Sequence, residues 1–445
     1  MYCAYVTELK NLRKHNNADR LLLTEVFGNT VIVDNTYHEG QKVVFFPIDG
    51  QLNEEYAKDN NLLRITGPDG TNIGGYLDSK KRNIKATKLR GEKSEGLVLP
   101  IETLSKYADV NTLKVGDQIT VLNGVEICKK YIPYQPAGRR VIGQKGPSKN
   151  QLLKQKYPTF HEHVDTEQLA YNLGRFKLGD TCYITLKMHG TSGISSYSIK
   201  EEYEEQSFFQ KLFRRPKKLK RTWESISGTR RTILENYEGG YYGNNEFRKI
   251  YHDLLKDKLP KGMTVYYEIV GWIDGTNTTI MPKCSNSKLR DKEFQKKYGK
   301  ETVFSYGCEP GTSDMYVYRI TFTNEDDYTV EVPWEQVKLI CDQWGVKHVP
   351  EFDKFLYTTE EDLLERVHKY NDGPDPIGKT HVREGVVVRI DNREKFTAFK
   401  DKNFSFKVLE GIVKDLATEP DMEEAQEFLK EEAPPGNQEV CECQS

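Results

Sequence analysis

The chain has no apolar run approaching the roughly 18 residues that a membrane-spanning helix needs. Its first residues, MYCAYVTELKNLRKH, lack the apolar core of a signal peptide. Both absences lead to the expectation of an intracellular, cytoplasmic protein with no membrane partner. Paired cysteines are also missing. Cys3, Cys128, Cys182, Cys284, Cys308, Cys341, Cys441 and Cys443 form no CxxC pair and no cluster with histidine. That spacing argues against a zinc site and for reduced thiols in a cytosol. The terminal CECQS could bind a soft metal, but a frayed end is the simpler reading. Net charge is also small, at −2, which by itself argues against a strongly basic nucleic-acid binder.

The average hides an asymmetry. Residues 415–445 carry ten acids and one base, Lys430, a net of −9, so the part before them carries about +7. That excess suits a polyanionic partner. Charged residues at 30% and a mean hydropathy of −0.70 indicate a soluble chain. At 445 residues it is too long for one compact core and is expected to hold two domains with appendages.

Residues 1–130 read as short strands broken by turns. LLLTEVFGNTVIV forms a hairpin with Gly28-Asn29 at its bend, QKVVFFPIDG a strand closed by Asp49-Gly50, and KATKLRGEKSEGLVLP a strand beyond a Gly91 turn. The spacing suggests a small β-barrel of the oligonucleotide-binding type, with a β-sandwich as the alternative. Residues 131–158 mix Pro, Gly and bases and mark a linker or a loop lying on a partner. A second domain follows over 159–432, with strong strands in TVYYEIVGW, DMYVYRITFT and REGVVVRI and a helix in EEDLLERVHKY. From VLEGIVKDLA the chain turns helical and then acidic, and 433–445 is expected to be a disordered acidic tail.

Within the second domain YITLKMHGTSGISSY, residues 183–197, places one lysine at the end of a β-type run. With period two, Tyr183, Thr185 and Lys187 share one face, and Ile184 and Leu186 the more apolar one. Lys187 therefore opens onto something, and Gly190 allows a tight turn and close backbone approach. SGTRR (227–231), YYEIVGW (266–272), MYVYRI (315–320), REGVVVRI (383–390) and FKDKNF (399–404) follow in order.

Lys400 and Lys402, two apart, project from one strand face and can neutralise a phosphate, or merely solvate an edge strand. A lysine that attacks phosphorus must be neutral, so its free pKa of about 10.4 has to fall by roughly three units, about 4 kcal/mol, which nearby cations can achieve. Glu384 opens an apolar strand on the face of Val386 and Val388. Its carboxylate is expected at the rim of the sheet, where it suits magnesium through water, or a surface ion pair with Arg383 or Arg389. Tyr316 and Tyr318 share a strand face, where core packing is the commoner role of an aromatic residue. KLFRRPKKLKR, residues 211–221, holds seven bases around Phe213 and could steer a phosphate backbone or be a solvated loop.

The ordered set resembles the covalent nucleotidyltransferase superfamily of ligases and capping enzymes. KMHG matches motif I, YYEIVG motif III, EGVVV motif IV and KDK motif V. Following a β-rich domain, it is most similar to ATP-dependent RNA ligases with an N-terminal oligonucleotide-binding domain. The resemblance implies an α+β chain: an OB-like β-barrel, then an ATP-grasp-like nucleotidyltransferase domain of the ligase and capping type. It implies ATP with Mg2+ or Mn2+, RNA as nicked duplex or broken ends, and a monomer. It gives Lys187 as nucleophile, with Lys400, Lys402 and Glu384 as catalytic partners and Glu384 on the metal through water. His189, Gly190, Arg230, Glu268 and Tyr318 would bind the nucleotide, Glu268 at the ribose and Tyr318 stacked on adenine. Arg231 is an equal alternative to Arg230 on phosphate. HVDTEQLAYNL (163–173) resembles the acidic segment before the family's lysine, with no individual role carried over. One departure stands out: the superfamily has Lys-x-Asp-Gly, and His189 occupies the acidic position. A DNA nick ligase and a non-catalytic RNA-binding relative are the rival readings.

Overall fold

A computed structural model describes residues 2–66, 72–75, 77–89, 92–131, 149–204, 206, 213, 216–238, 245–289 and 292–410. The architecture is mixed α+β, and the described residues divide into two compact units, one over 2–131 with 407–410 and one over 149–406.

The first unit contains strands β1 (Ala4–Glu8), β2 (Leu21–Val26), β3 (Asn29–Asp34), β4 (Lys42–Phe46), helix α1 (Glu54–Asp59), β5 (Leu97–Pro100) and β6 (Gln118–Ile119). Their β-branched and aromatic residues suit a half-buried pleated surface. An antiparallel ladder runs β5-β4-β1-β6, and β2 and β3 belong to a separate three-stranded sheet. No described pairing joins β5 to β6, so closure into the expected barrel is not shown. Ala4, Val6, Val44, Phe46 and Tyr56 build the core beneath the ladder. The β2–β3 hairpin bends one residue earlier than the sequence suggests. Val26 pairs with Asn29, and Phe27 and Gly28 both take positive φ, as a two-residue primed turn requires.

The second unit is built on two sheets. Strands β7 (Glu167–Gln168), β8 (Thr181–Lys187), β9 (Thr191–Tyr203), β10 (Leu219–Gly228) and β11 (Ile233–Leu234) precede helix α2 (Glu246–Lys256). There follow β12 (Met263–Gly271), β13 (Ser313–Thr323), β14 (Thr329–Glu331), helix α3 (Trp334–Trp344), β15 (Glu351–Leu356), helix α4 (Glu360–Asn371), β16 (Gly385–Ile390) and β17 (Thr397–Lys402), and helix α5 (Phe404–Glu410) begins in this unit and ends in residues 407–410 of the first. One sheet has the order β7-β17-β16-β8-β15, and the other runs β11-β10-β9-β12-β13-β14.

The Thr359 side chain caps α4, and Leu363 and Val367, four apart, bury against Cys182, Ile184, Val386 and Val388. That packing takes up one face of β8 and β16 and leaves the other for the site. Lys149–Lys156, expected within a linker, is helical; 132–148 and 411–445 lie outside the described residues. So do 211–212 and 214–215 of the basic 211–221 run, while Leu219–Arg221 of the same run begin β10.

Candidate active site

Strand register brings the site together. Lys187 on β8 pairs with Gly385 on β16, and Gly385 pairs on its other side with Lys402 on β17. The two lysines thus flank the residue next to Glu384. Lys187 Nζ is 2.7 Å and Lys402 Nζ 3.0 Å from the same oxygen, Glu384 Oε1. The carboxylate is almost fully buried, at 1% exposure, rather than at an exposed rim. Neither expected arginine holds it: Arg383 donates to the Tyr370 and Pro374 carbonyls, and Arg389 pairs with Asp391 at 3.3 Å.

Simple alternation would put Glu384 on the face of Val386 and Val388, which is core. Glu384 instead lines a cavity with Val387 and Arg389. Gly385, at φ +150°, interrupts the alternation at the first residue of the strand. A Cβ there would stand 2.1 Å from the Asp401 carbonyl oxygen, so only glycine fits.

The cavity holds about 120 Å³ and is lined by Lys187, His189, Gly190, Arg230, Glu268, Tyr318, Glu384 and Lys400. Of the nine residues expected at the site only Lys402 is not in the lining, and it reaches the site through Glu384. Gly190 serves close approach, because a Cβ would lie 2.4 Å from the Ile269 carbonyl oxygen and 2.9 Å from Glu268 Cγ. Its absence lets β12 bring Glu268 against the Lys187 turn.

Tyr318 is the extra residue of a β-bulge. Tyr266 pairs with Arg319 and Tyr267 with Val317, which leaves Tyr318 without an opposite partner. Bulges re-aim side chains, and here Tyr318 faces the cavity. Tyr316 instead donates to the Asp314 carboxylate at 3.1 Å, so the two tyrosines do not act as a pair.

The structure separates Arg230 from Arg231. Both bind Asp165, Arg231 at 3.1 Å, but only Arg230 is among the cavity's lining residues. Asp165 belongs to the HVDTEQLAYNL segment, which also lines the cavity with His163 and Thr166. His163 stands edge-on to Tyr318 with ring centroids 4.9 Å apart. Burial, followed by the charges of Arg319, Arg230 and Lys400, holds its imidazole well below the usual range, so it is neutral at pH 7.

Sequence reasoning missed His163, Thr166, Ser192, Val349 and Phe396. His163 and Thr166 lie in the 163–173 segment and Ser192 in the 183–197 stretch already singled out, whereas Val349 and Phe396 carried no signal. Phe396 lies under the guanidinium groups of Arg319 and Arg389, at 4.7 and 5.5 Å.

His189 sits between Phe304 and Phe406, edge-on to both at 4.6 and 4.8 Å. Its Nδ1 is 3.9 Å from Glu384 Oε2. Among lining residues, four cations (Lys187, Arg230, Arg389, Lys400) face two carboxylates (Glu268, Glu384), an excess of two positive charges suited to an anionic ligand. No cluster of three or more His, Cys, Asp or Glu able to hold a metal occurs among the described residues. No helix among them is long and apolar enough to cross a membrane.

The RNA ligase family matches over residues 180–409, more than half of the chain, and the chain belongs to that family. No curated protein sequence matches it. Several solved structures share its fold. A Naegleria gruberi RNA ligase mutant with ATP and Mn aligns at 17% identity and a TM-score of 0.53, over 91% of this chain and 97% of that one. The Naegleria gruberi RNA ligase with PPi aligns at 18% identity, with the same coverages and TM-score. A mutant of that ligase with AMP and Mn aligns at 16% identity and 0.52, again over 91% and 97%.

Proposed function

We propose that the protein is an ATP-dependent RNA ligase that works through a lysyl-adenylate on Lys187. The observation that carries this reading is the placement of Lys187 in the lining of a cationic cavity, on a buried carboxylate shared with Lys402. Lys187 Nζ attacks the α-phosphorus of ATP, forming a P–N bond as the bond to pyrophosphate breaks. An RNA 5′-phosphate oxygen then takes the AMP and releases the lysine. A 3′-hydroxyl attacks that phosphate, closes the phosphodiester and expels AMP.

Catalysis rests on positioning and charge. Lys400 and Arg230 face the phosphates, Glu268 accepts hydrogens from the ribose hydroxyls, and Tyr318 with the neutral His163 receives the base. The donor set fits a magnesium or manganese ion held mainly by ATP oxygens and water, because one or two carboxylates suffice when most ligands are not protein. Such an ion would neutralise the developing phosphate charge and compete with Lys187 for Glu384. Lys187 can attack only once its pairing with Glu384 is released, and Lys402 can remain as the counter-ion.

The test is to mix the protein with ATP labelled at the α-phosphate and Mg2+, and then look for label on the chain. Label is expected, and wild-type protein that stays unlabelled would sink the reading. Sealing of the same nick with a ribose or a deoxyribose 3′ end then separates RNA from DNA ligation.

A further inference from the structure

Ser305–Cys308 forms a tight turn closed by the Cys308 N–H donating to the Ser305 carbonyl at 2.9 Å. Both central residues are left-handed, Tyr306 at φ +51° and Gly307 at φ +77°. Asn or Gly is favoured at the first of these positions, and a bulky aromatic there is an outlier of the kind that concentrates at functional sites. The side chain therefore needs a reason. Its hydroxyl accepts the main-chain N–H of His189 at 2.7 Å. His189 lies two residues beyond Lys187, in the turn between β8 and β9.

The ring is buried and stands edge-on to His381, with centroids 4.6 Å apart. Behind the turn lies the segment that carries Gly378, where a Cβ would stand 2.5 Å from the Gly307 nitrogen and 2.6 Å from the Tyr306 carbonyl carbon. Tyr306 is thus held from behind and reaches forward to the turn after the lysine. Burial, with the Asp375 carboxylate next in effect, pushes its phenol well above the ordinary value, so the hydroxyl stays protonated.

We propose that Tyr306 is a positioning residue for lysine adenylation: its hydroxyl anchors the His189 amide and so fixes the Met188–Gly190 turn that presents the Lys187 amine to the cavity. The inference rests on the ligase reading above. Its physical basis is that in-line attack tolerates little misplacement, while a buried amide without an acceptor pulls the turn toward other partners. Tyr306 is not among the residues that line the cavity, so it belongs to the support of the site.

Tyr306→Phe keeps the ring and removes only the acceptor. In single-turnover adenylation the variant should lose about tenfold in maximal rate, about 1.4 kcal/mol, with the ATP concentration at half-maximal rate within about twofold of wild type. The His189 amide should exchange with solvent about tenfold faster, as read by NMR, with the melting temperature within a few degrees. A labelled wild type with an equally fast Tyr306→Phe variant would overturn this inference alone, as would an unchanged His189 exchange rate. A wild type that takes no label would overturn the ligase reading, and with it any role of the contact in adenylation.

Discussion

Lys187 and Lys402 share one buried carboxylate, so removing Glu384 takes the counter-ion from both, while removing either lysine leaves Glu384 with the other. Lys187→Ala should abolish the covalent adenylate while the fold persists, because the amine faces the cavity rather than the core. Lys187→Arg should fail equally, since a guanidinium stays protonated and cannot attack. Label on either variant, read by gel after mixing with labelled ATP, would remove Lys187 from the chemistry. His189→Asp restores the superfamily's acidic residue in an unsuitable place. A carboxylate between Phe304 and Phe406 would be poorly solvated and close to that of Glu384. The expected result is a lower melting temperature and an adenylation rate that rises at higher pH than in wild type. An unchanged or acid-shifted rate profile would refute the charge argument and leave the ligase assignment standing.

At the scale of elements, the β16–β17 pair depends on a residue without a side chain. Gly385→Ala forces a methyl group into the Asp401 carbonyl at a φ that disfavours Cβ. A loss of about 3 kcal/mol or more in unfolding free energy is expected, with loss of adenylation, because the pairing also places Glu384. Wild-type stability by denaturant titration would contradict this.

Helix α2 docks through polar groups as well as through Phe247 and Leu255. Arg248 donates to Thr191 Oγ1 at 2.6 Å and to the Ser192 carbonyl, and His252 Nδ1 lies 3.1 Å from Ser195 Oγ. Burial pushes the His252 imidazole down to about 4. Between an unfolded value of about 6.5 and that folded value, the unfolded chain binds a proton that the folded chain refuses. Stability should therefore fall as pH drops through this window and stop falling, for this group, below about 4. The contribution is at most about 3 kcal/mol. Urea unfolding at pH 7.5, 6 and 5 should show a shallower pH dependence in His252→Gln, and identical slopes would discount the histidine.

At the scale of the whole molecule, the nine expected site residues all fall in the unit over 149–406, and the first unit contributes none of them. The division of labour that this suggests is nucleotide chemistry in one unit and handling of the nucleic acid in the other. A chain starting at Tyr131 should still take label from ATP and should seal nicks at least tenfold more slowly than the full chain. Unimpaired sealing would take residues 1–130 out of the reaction, whereas lost labelling would show that the larger unit needs them to fold.

Much of the site could be read from residue order alone. A lysine at a strand end, two lysines two apart and a glutamate before a valine run each carry a local periodicity, and the strands and α4 follow from the same patterns. The bend at Phe27-Gly28 and the helix at Lys149–Lys156 did not follow, because turn register and local structure depend on partners far along the chain. The tertiary structure alone decided that Lys187 and Lys402 meet on Glu384, that Arg230 rather than Arg231 enters the cavity, and that a bulge turns Tyr318 inward. It also decided that Tyr306 reaches the amide of His189, 117 residues away. The physical reason is that periodicity states which face a side chain occupies, while strand pairing and close glycine contacts choose what it faces.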